Sequence, residues 1–137
     1  MAGIPVVQVG CGYWGRNLAR NFHALGALAG VVDADPANAA AMATQLGVPV
    51  LGLEQALEDP AIRALAFATP AETHAEMARQ ALAAGKHVYV EKPMALSVAA
   101  CREMIEAARS AGRVLMVGHL LQYHPVFVRL RELVASG

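Results

Sequence analysis

Short apolar runs alternate along the chain with longer stretches in which apolar residues return every three or four positions. A short apolar run fits a strand covered on both faces, and a three-to-four spacing fits one face of a helix. Runs at 5–9, 29–33, 48–51, 64–68, 87–90 and 114–117 therefore predict six strands. Between them, Leu18, Phe22 and Leu25 outline a first helix. Asp35-Pro36 reads as a cap followed by proline at the first helical position, opening a helix that runs to about Leu46 and stops at Gly47. Residues 53–57 predict a short helix closed by Asp59-Pro60, and residues 72–84 a longer one stopped by Gly85. Val98, Cys101, Ile105 and Ala108 mark one more stripe, ended by Gly112. Val126, Leu130, Leu133 and Val134 mark the last. Strand–helix alternation of this kind implies right-handed crossovers. The expected fold class is α/β, a doubly wound, mostly parallel sheet of about six strands, in a single domain over residues 1–137.

Composition narrows the partners. The 137 residues suffice for one core, and 56% hydrophobic with 5% aromatic suits small-residue helices packed on a sheet. Eleven basic residues balance eleven acidic ones, so no basic field favours nucleic acid or an anionic membrane. Two cysteines make no disulfide framework, and the expected compartment is a reducing cytoplasm. Residues 1–5 lead straight into the first strand, without the charged start and apolar run of a signal peptide. No stretch is long enough to span a bilayer, and no metal is expected.

Candidate chemistry begins where the first strand ends, at Gly10-Cys11-Gly12-Tyr13-Trp14-Gly15. A G-x-G-x-x-G is a weak signal alone, but this one follows a strand and opens a helix. Gly10 permits the tight turn, Gly12 lets a pyrophosphate approach the backbone, and Gly15 lets the helix pack on the strand. The helix N-terminus adds free N–H groups and the positive end of its dipole. Asp33 ends the second strand, where a carboxylate accepts from both adenosine ribose hydroxyls and repels a 2′-phosphate. With Ala34 and Asp35 next and no nearby base, NAD is favoured over NADP. The plainer reading of Asp33 is a turn cap. Cys11 and Cys101 read as packing residues. Trp14 reads equally as a core anchor and as a lid over the cofactor.

The fourth and fifth strands lead into Thr69-Pro70-Ala71-Glu72-Thr73-His74 and Glu91-Lys92-Pro93. Ligands of an open parallel sheet bind beyond the carboxyl ends of its strands, so both segments should border the cofactor. Lys92 in that place can hydrogen-bond a substrate hydroxyl or the nicotinamide ribose and help a proton leave as hydride transfers. Its alternative is a Lys–Glu pair at a strand end.

Gly10 to Gly15, Ala68-Thr69-Pro70 with His74, Ala84-Gly85-Lys86-His87-Val88 and Glu91-Lys92-Pro93 together resemble the glucose-fructose oxidoreductase/inositol dehydrogenase (Gfo/Idh/MocA) family, from Val6 to about Pro125. The resemblance implies an NAD(P)-dependent oxidoreductase acting on sugars, cyclitols or related compounds, with this chain as its dinucleotide-binding part. It implies that Lys92 contacts both nicotinamide and substrate, as the catalytic lysine. It also implies that Pro93 follows a cis bond aiming Lys92 into the cleft, and that Thr69, Pro70 and His74 lie beside the cofactor with Glu91. His74 alone reads as a helix-start residue with a structural role. The runs GCGYWGRNLARNF and GHLLQYHP look like the branch that oxidises UDP-N-acetylglucosaminuronate at C3. In that branch Gln122, Tyr123 and His124 border the sugar; otherwise they cap and pack the last helix.

Family members carry a second, C-terminal α/β domain that completes the substrate pocket and its acid–base groups. The expectation is that these 137 residues are the cofactor part, with little turnover alone. Apolar surface near the last helix would then be exposed and favour self-association into a homo-oligomer. The competing reading is a non-catalytic nucleotide-sensing or interaction module on the same fold. A sensor needs the glycine loop and Asp33 but has no use for a lysine in the cleft.

Overall fold

The computed structural model describes residues 3–137. Met1 and Ala2, the start of the segment read above for a signal peptide, lie outside them. Five strands form one parallel sheet: β1 (Val6–Val9), β2 (Leu28–Val32), β3 (Ala64–Phe67), β4 (His87–Val90) and β5 (Leu115–Val117). Their order across the sheet is β2-β1-β3-β4-β5. The chain steps outward from β1 to β2, then returns to the other side of β1 for β3. That reversal splays the β1 and β3 connections apart at their carboxyl ends and opens a crevice there.

The helices are α1 (Tyr13–Ala24), α2 (Pro36–Leu46), α3 (Leu53–Glu58), α4 (Ala71–Ala83), α5 (Val98–Ala111) and α6 (Pro125–Ser136). Asp35 caps α2 by accepting from the Ala37 N–H at 2.9 Å, with Pro36 in the first turn. Ser97 caps α5 through the Ala100 N–H at 3.1 Å. Two apolar clusters cover the sheet. One joins Val7, Val9, Leu65, Phe67, Val88 and Val90 to Ala78, Leu82 and Met104. The other joins Cys11 and Val31 to Ala19, Met42 and Ala43. Small residues on α1, α2 and α4 bring those helices close to the strands, which accounts for an alanine-rich chain with few aromatics.

Three expectations are corrected. Residues 48–51 do not form a sixth strand: Val50 makes an isolated bridge to Val31, and Pro49, which has no N–H, contributes only its carbonyl. Leu25 lies beyond α1 and is exposed; the face that packs is Gly15 and Ala19, with Leu18 and Phe22 half-buried. On α5 the buried line runs through Met104 and Ala108, while Val98 and Ile105 are 68% and 40% exposed. The exposed apolar surface expected near the last helix is present: Val126, Leu130, Leu133 and Val134 of α6 face outward, with no residue of the helix buried. Among the described residues no helix is long and apolar enough to cross a membrane.

One buried cation belongs to the fold. Lys86, at the start of β4, is 5% exposed and donates to the carbonyls of Asp59 at 2.5 Å and Ile62 at 2.9 Å. It ties the loop after α3 to the foot of the sheet.

Candidate functional site: a groove and a lysine-lined hollow at the carboxyl edge of the sheet

The β1–α1 turn is built by constraints on two glycines. Gly10 has φ +88°, and a Cβ there would lie 2.6 Å from the Ala68 carbonyl oxygen. Gly15 is shut in from the other side, since its Cβ would run into the Gly10 carbonyl oxygen. Beneath them Gln8, fully buried in β1, donates its Nε2 to the Gly10 carbonyl at 3.0 Å. The turn is thereby held from below, and its upper side is left free.

Gly12 is different. A Cβ there would meet nothing within 4 Å. No neighbour in the protein accounts for its being glycine, and the space above it opens on the crevice. No side chain caps this end of α1, so first-turn N–H groups stay available to an anion. The arrangement fits a dinucleotide pyrophosphate.

The crevice is a groove of about 580 Å³, within the range of small-molecule sites. Gly10, Gly12, Asp33, Thr69, Pro70 and Thr73 lie along it, with Asn38, Leu53 and Met77 completing the walls. Asp33 sits at the end of β2. Its Oδ2 accepts from the Cys11 N–H at 2.5 Å and its Oδ1 from the Asp35 N–H at 2.8 Å. Each carboxylate oxygen has a second lone pair, so both stay able to accept from a ribose diol. Asp33 is thus both a turn cap and a groove acceptor. At the opposite wall the Thr69 and Thr73 hydroxyls share a hydrogen bond of 2.7 Å.

A second hollow of about 470 Å³ opens at the same carboxyl edge of the sheet, lined by Trp14, Lys92, His119, Leu120, Leu121, Gln122 and Phe127. Trp14 is 43% exposed and forms a wall of it, so it is not a core anchor. Lys92 Nζ stands 5.8 Å from the centre of the indole ring, a separation at which cation–π attraction operates. The Lys92–Pro93 bond is cis. Lys92 forms no ion pair with Glu91. The buried Glu91 instead accepts from the Tyr89 hydroxyl at 2.9 Å and from the Lys92 backbone N–H at 3.3 Å. Gly118 makes this possible, because a Cβ there would strike the Tyr89 oxygen and the Glu91 carboxylate. Burial, with the Glu91 carboxylate beside it, raises the Tyr89 hydroxyl above its ordinary value.

Of the residues singled out from sequence, Gly10, Gly12, Asp33, Thr69 and Pro70 line the groove, and Trp14, Lys92 and Gln122 line the hollow. Gly15 packs below the turn. Tyr13 stands exposed, edge-on to Trp14, and lines neither space. Glu91 and His74 are buried and engaged with protein partners; the His74 ring lies at hydrogen-bond distance from the Thr69 and Pro93 carbonyls. Tyr123 is exposed outside the hollow, and His124 caps α6 by accepting from the Val126 N–H at 3.3 Å. Missed from sequence were Gln8, His119, Leu120, Leu121 and Phe127. A lone polar residue inside the run VVQV was a readable signal for Gln8.

Cys11, in the middle of the loop, is inert by its surroundings. Burial first, then the Asp33 carboxylate, push its thiol up to about 11, against a smaller opposing pull from Arg16. At neutral pH it holds its proton, and the thiolate is the reactive form. Disulfide-reagent titration of the native chain should therefore score Cys101 at most, and both thiols after denaturation. In an unfolded chain Cys11 ionises near its ordinary 9.0. The unfolded state then binds fewer protons, so stability should fall as pH rises from about 9 to 11, by roughly 1–3 kcal/mol. Urea midpoints across that range should show the fall, and Cys11→Ala should flatten it; an unchanged slope would refute the assignment.

The comparisons with known proteins agree with this geometry. Residues 4–119 match the family model described as "Oxidoreductase family, NAD-binding Rossmann fold". The chain is 37% identical to inositol 2-dehydrogenase of Rubrobacter xylanophilus over 98% of its own length and 40% of that protein. It is 33% identical to UDP-N-acetylglucosamine 3-dehydrogenase of Acidithiobacillus ferrooxidans over 90% of its length and 39% of that protein. The crystal structure of GenD2 from gentamicin A biosynthesis, in complex with NAD, superposes with TM-score 0.94 at 39% identity, over 98% of this chain and 40% of GenD2. The chain thus spans about two fifths of the length of these proteins. Its glycine turn, its switch-point groove and these likenesses together make it a member of the Gfo/Idh/MocA oxidoreductase family, of which it forms the NAD-binding Rossmann domain.

Proposed function

We propose that this chain is the cofactor-binding part of a dehydrogenase acting on a sugar or sugar-nucleotide hydroxyl, with Lys92 as its catalytic lysine. The observation that carries the reading is the placement of Lys92. It stands in a hollow at the same carboxyl edge as the dinucleotide groove, and the glycine turn contributes Gly10 and Gly12 to the groove and Trp14 to the hollow. A nicotinamide bound there supplies the hydride acceptor or donor.

The chain's own groups divide the remaining work. Gly12 and the start of α1 receive the pyrophosphate, and Asp33 accepts from the adenosine ribose. Thr69 and Pro70 form the far wall. Lys92 hydrogen-bonds the reacting oxygen and moves the hydroxyl proton as that oxygen becomes a carbonyl. Gln122 and His119 offer polar contacts to sugar hydroxyls from the hollow's rim, and the apolar faces of Leu120, Leu121 and Phe127 suit a pyranose ring. The likeness to dehydrogenases of inositol and of UDP-N-acetylglucosamine supports a polyhydroxylated substrate. A lysine in a lined hollow also favours this reading over a non-catalytic nucleotide sensor.

Trp14 is the sole tryptophan, so energy transfer from it to bound NADH reports the test. Saturable NADH binding with weaker NADPH binding is expected. UDP-N-acetylglucosamine or myo-inositol, added to the NADH-saturated chain, should perturb the signal. Lys92→Met should weaken that sugar response about tenfold, the loss of one charged hydrogen bond, while changing NADH affinity far less. A folded chain that binds neither nucleotide, or a sugar response indifferent to Lys92→Met, would overturn the reading.

A further inference from the structure

His74 lies on α4 behind the groove wall, does not line the groove, and is 1% exposed. Its ring nevertheless lies at hydrogen-bond distance from a carbonyl at both ends, Nδ1 from Pro93 at 2.8 Å and Nε2 from Thr69 at 2.9 Å. Those carbonyls belong to two different strand-end loops, one bearing the groove wall and the other bearing Lys92. A carbonyl only accepts, so a neutral ring can donate to one of the two and only a doubly protonated ring to both. A packing residue would need neither bond; a leucine of similar bulk would fill the space.

The loops meet at this ring alone among the side-chain hydrogen bonds of the described residues. The Lys92–Pro93 segment is held on its other side by the Glu91 carboxylate, which takes the Lys92 N–H. Lys92 is therefore bracketed, with a buried acid before it and a buried imidazole after it. Its backbone cannot slide along the sheet edge without breaking the contact to the ring or the Glu91 N–H bond to the Phe67 carbonyl at 2.9 Å. The Thr69 end of the ring is itself fixed, since Thr69 and Thr73 share a hydroxyl bond and the Thr73 hydroxyl donates to the Pro70 carbonyl at 2.8 Å.

We propose that His74 is a positioning residue, whose ring pins the lysine-bearing loop to the groove wall and so sets where Lys92 stands relative to the bound dinucleotide. The proposal rests on the reading of Lys92 given above. The ring acts through backbone and touches neither cofactor nor substrate. The bond that positions Lys92 is Nδ1–H to the Pro93 carbonyl, and the ring is carried by α4, which follows Thr69-Pro70 directly.

Side-chain amides separate the two contacts. Asparagine places its N–H₂ near the site of Nδ1, and glutamine places it near the site of Nε2. His74→Asn should keep Lys92 in place, whereas His74→Gln and His74→Leu should release it. The readout is the NMR shift of the Lys92 ε-methylene, displaced in the wild type by the nearby Trp14 ring. That displacement should persist in His74→Asn and be lost in the other two. If the ring merely fills space, His74→Leu will preserve it at least as well as His74→Asn, and the proposal falls. Should the variants not fold, the ¹⁵N spectrum of the wild-type imidazole decides. A proton on Nδ1, slow to exchange, supports the proposal; an unprotonated Nδ1 overturns it. NADH titration of the wild-type chain tests the functional reading separately. Absent binding with a displaced Lys92 signal would sink that reading and leave the bracket standing as structure only.

Discussion

Gly15→Ala is expected to destabilise the chain by about 3 kcal/mol or more and to abolish NADH binding, the larger end of what overpacking costs. The added methyl would be driven into the Gly10 carbonyl, and the next atom it meets is the Gln8 amide at 3.3 Å. One is backbone in a turn that Ala68 already confines; the other is a buried side chain holding that turn. Neither swings aside, so α1 must back away from β1. Its first N–H groups then leave the crevice, which is why binding and stability fail together. Gly12→Ala supplies the contrast. Its φ of −68° suits alanine and its Cβ would meet nothing within 4 Å, so stability should be kept and NADH affinity lost. Urea unfolding beside NADH titration reads both. A Gly15→Ala chain as stable as wild type, within about 0.5 kcal/mol, would contradict the packing argument.

The second large effect is at Asp33. Asp33→Ala should cost NADH 10- to 100-fold in affinity, roughly 1.4–2.8 kcal/mol for hydrogen bonds to a charged acceptor. NADPH should lose less, or gain, because the carboxylate that opposes its 2′-phosphate is gone. The substitution also strips the Cys11 N–H of its acceptor, which sits at 2.5 Å in the wild type. Asp33→Asn distinguishes the two contributions. An amide oxygen can still receive Cys11, but its N–H₂ turns a donor toward the ribose and the Asp35 N–H, so the Cys11 bond is kept while NADH preference narrows. Equal NADH-to-NADPH ratios in the wild type and Asp33→Ala would refute the role.

Much of this was legible from sequence, for identifiable reasons. The glycine turn and Asp33 were readable because a dinucleotide-binding βαβ unit places both at fixed positions in the sequence. The apolar runs marked five strands correctly because buried parallel strands tolerate little else; Gln8 is the exception, and its reason is the turn above it. The sixth run failed on Pro49, whose missing N–H leaves an apolar stretch without a ladder. Helix faces were read less well. On α5 several apolar stripes coexist, and only the packing against α4 and β5 selects Met104 and Ala108. For His74 and Glu91, residue type and place near the strand ends were visible from sequence. That each turns inward to a backbone partner was not, because it depends on loops brought together from separate βα units. The hollow around Lys92 combines the β1, β4 and β5 connections, and no local pattern announces such a junction.

The two lysines of the chain have opposite fates. Lys86 is sealed beneath the sheet with its ammonium spent on two carbonyls, while Lys92 is exposed at the carboxyl edge. Every other basic side chain apart from the histidines is arginine, which keeps its proton at any ordinary pH and is a poor nucleophile. The surface therefore presents one lysine amine to an acylating or reductively alkylating reagent. A label intended for side-chain amines arrives, without any engineering, at the mouth of the hollow, where a fluorophore or an isotopic methyl would watch the site itself.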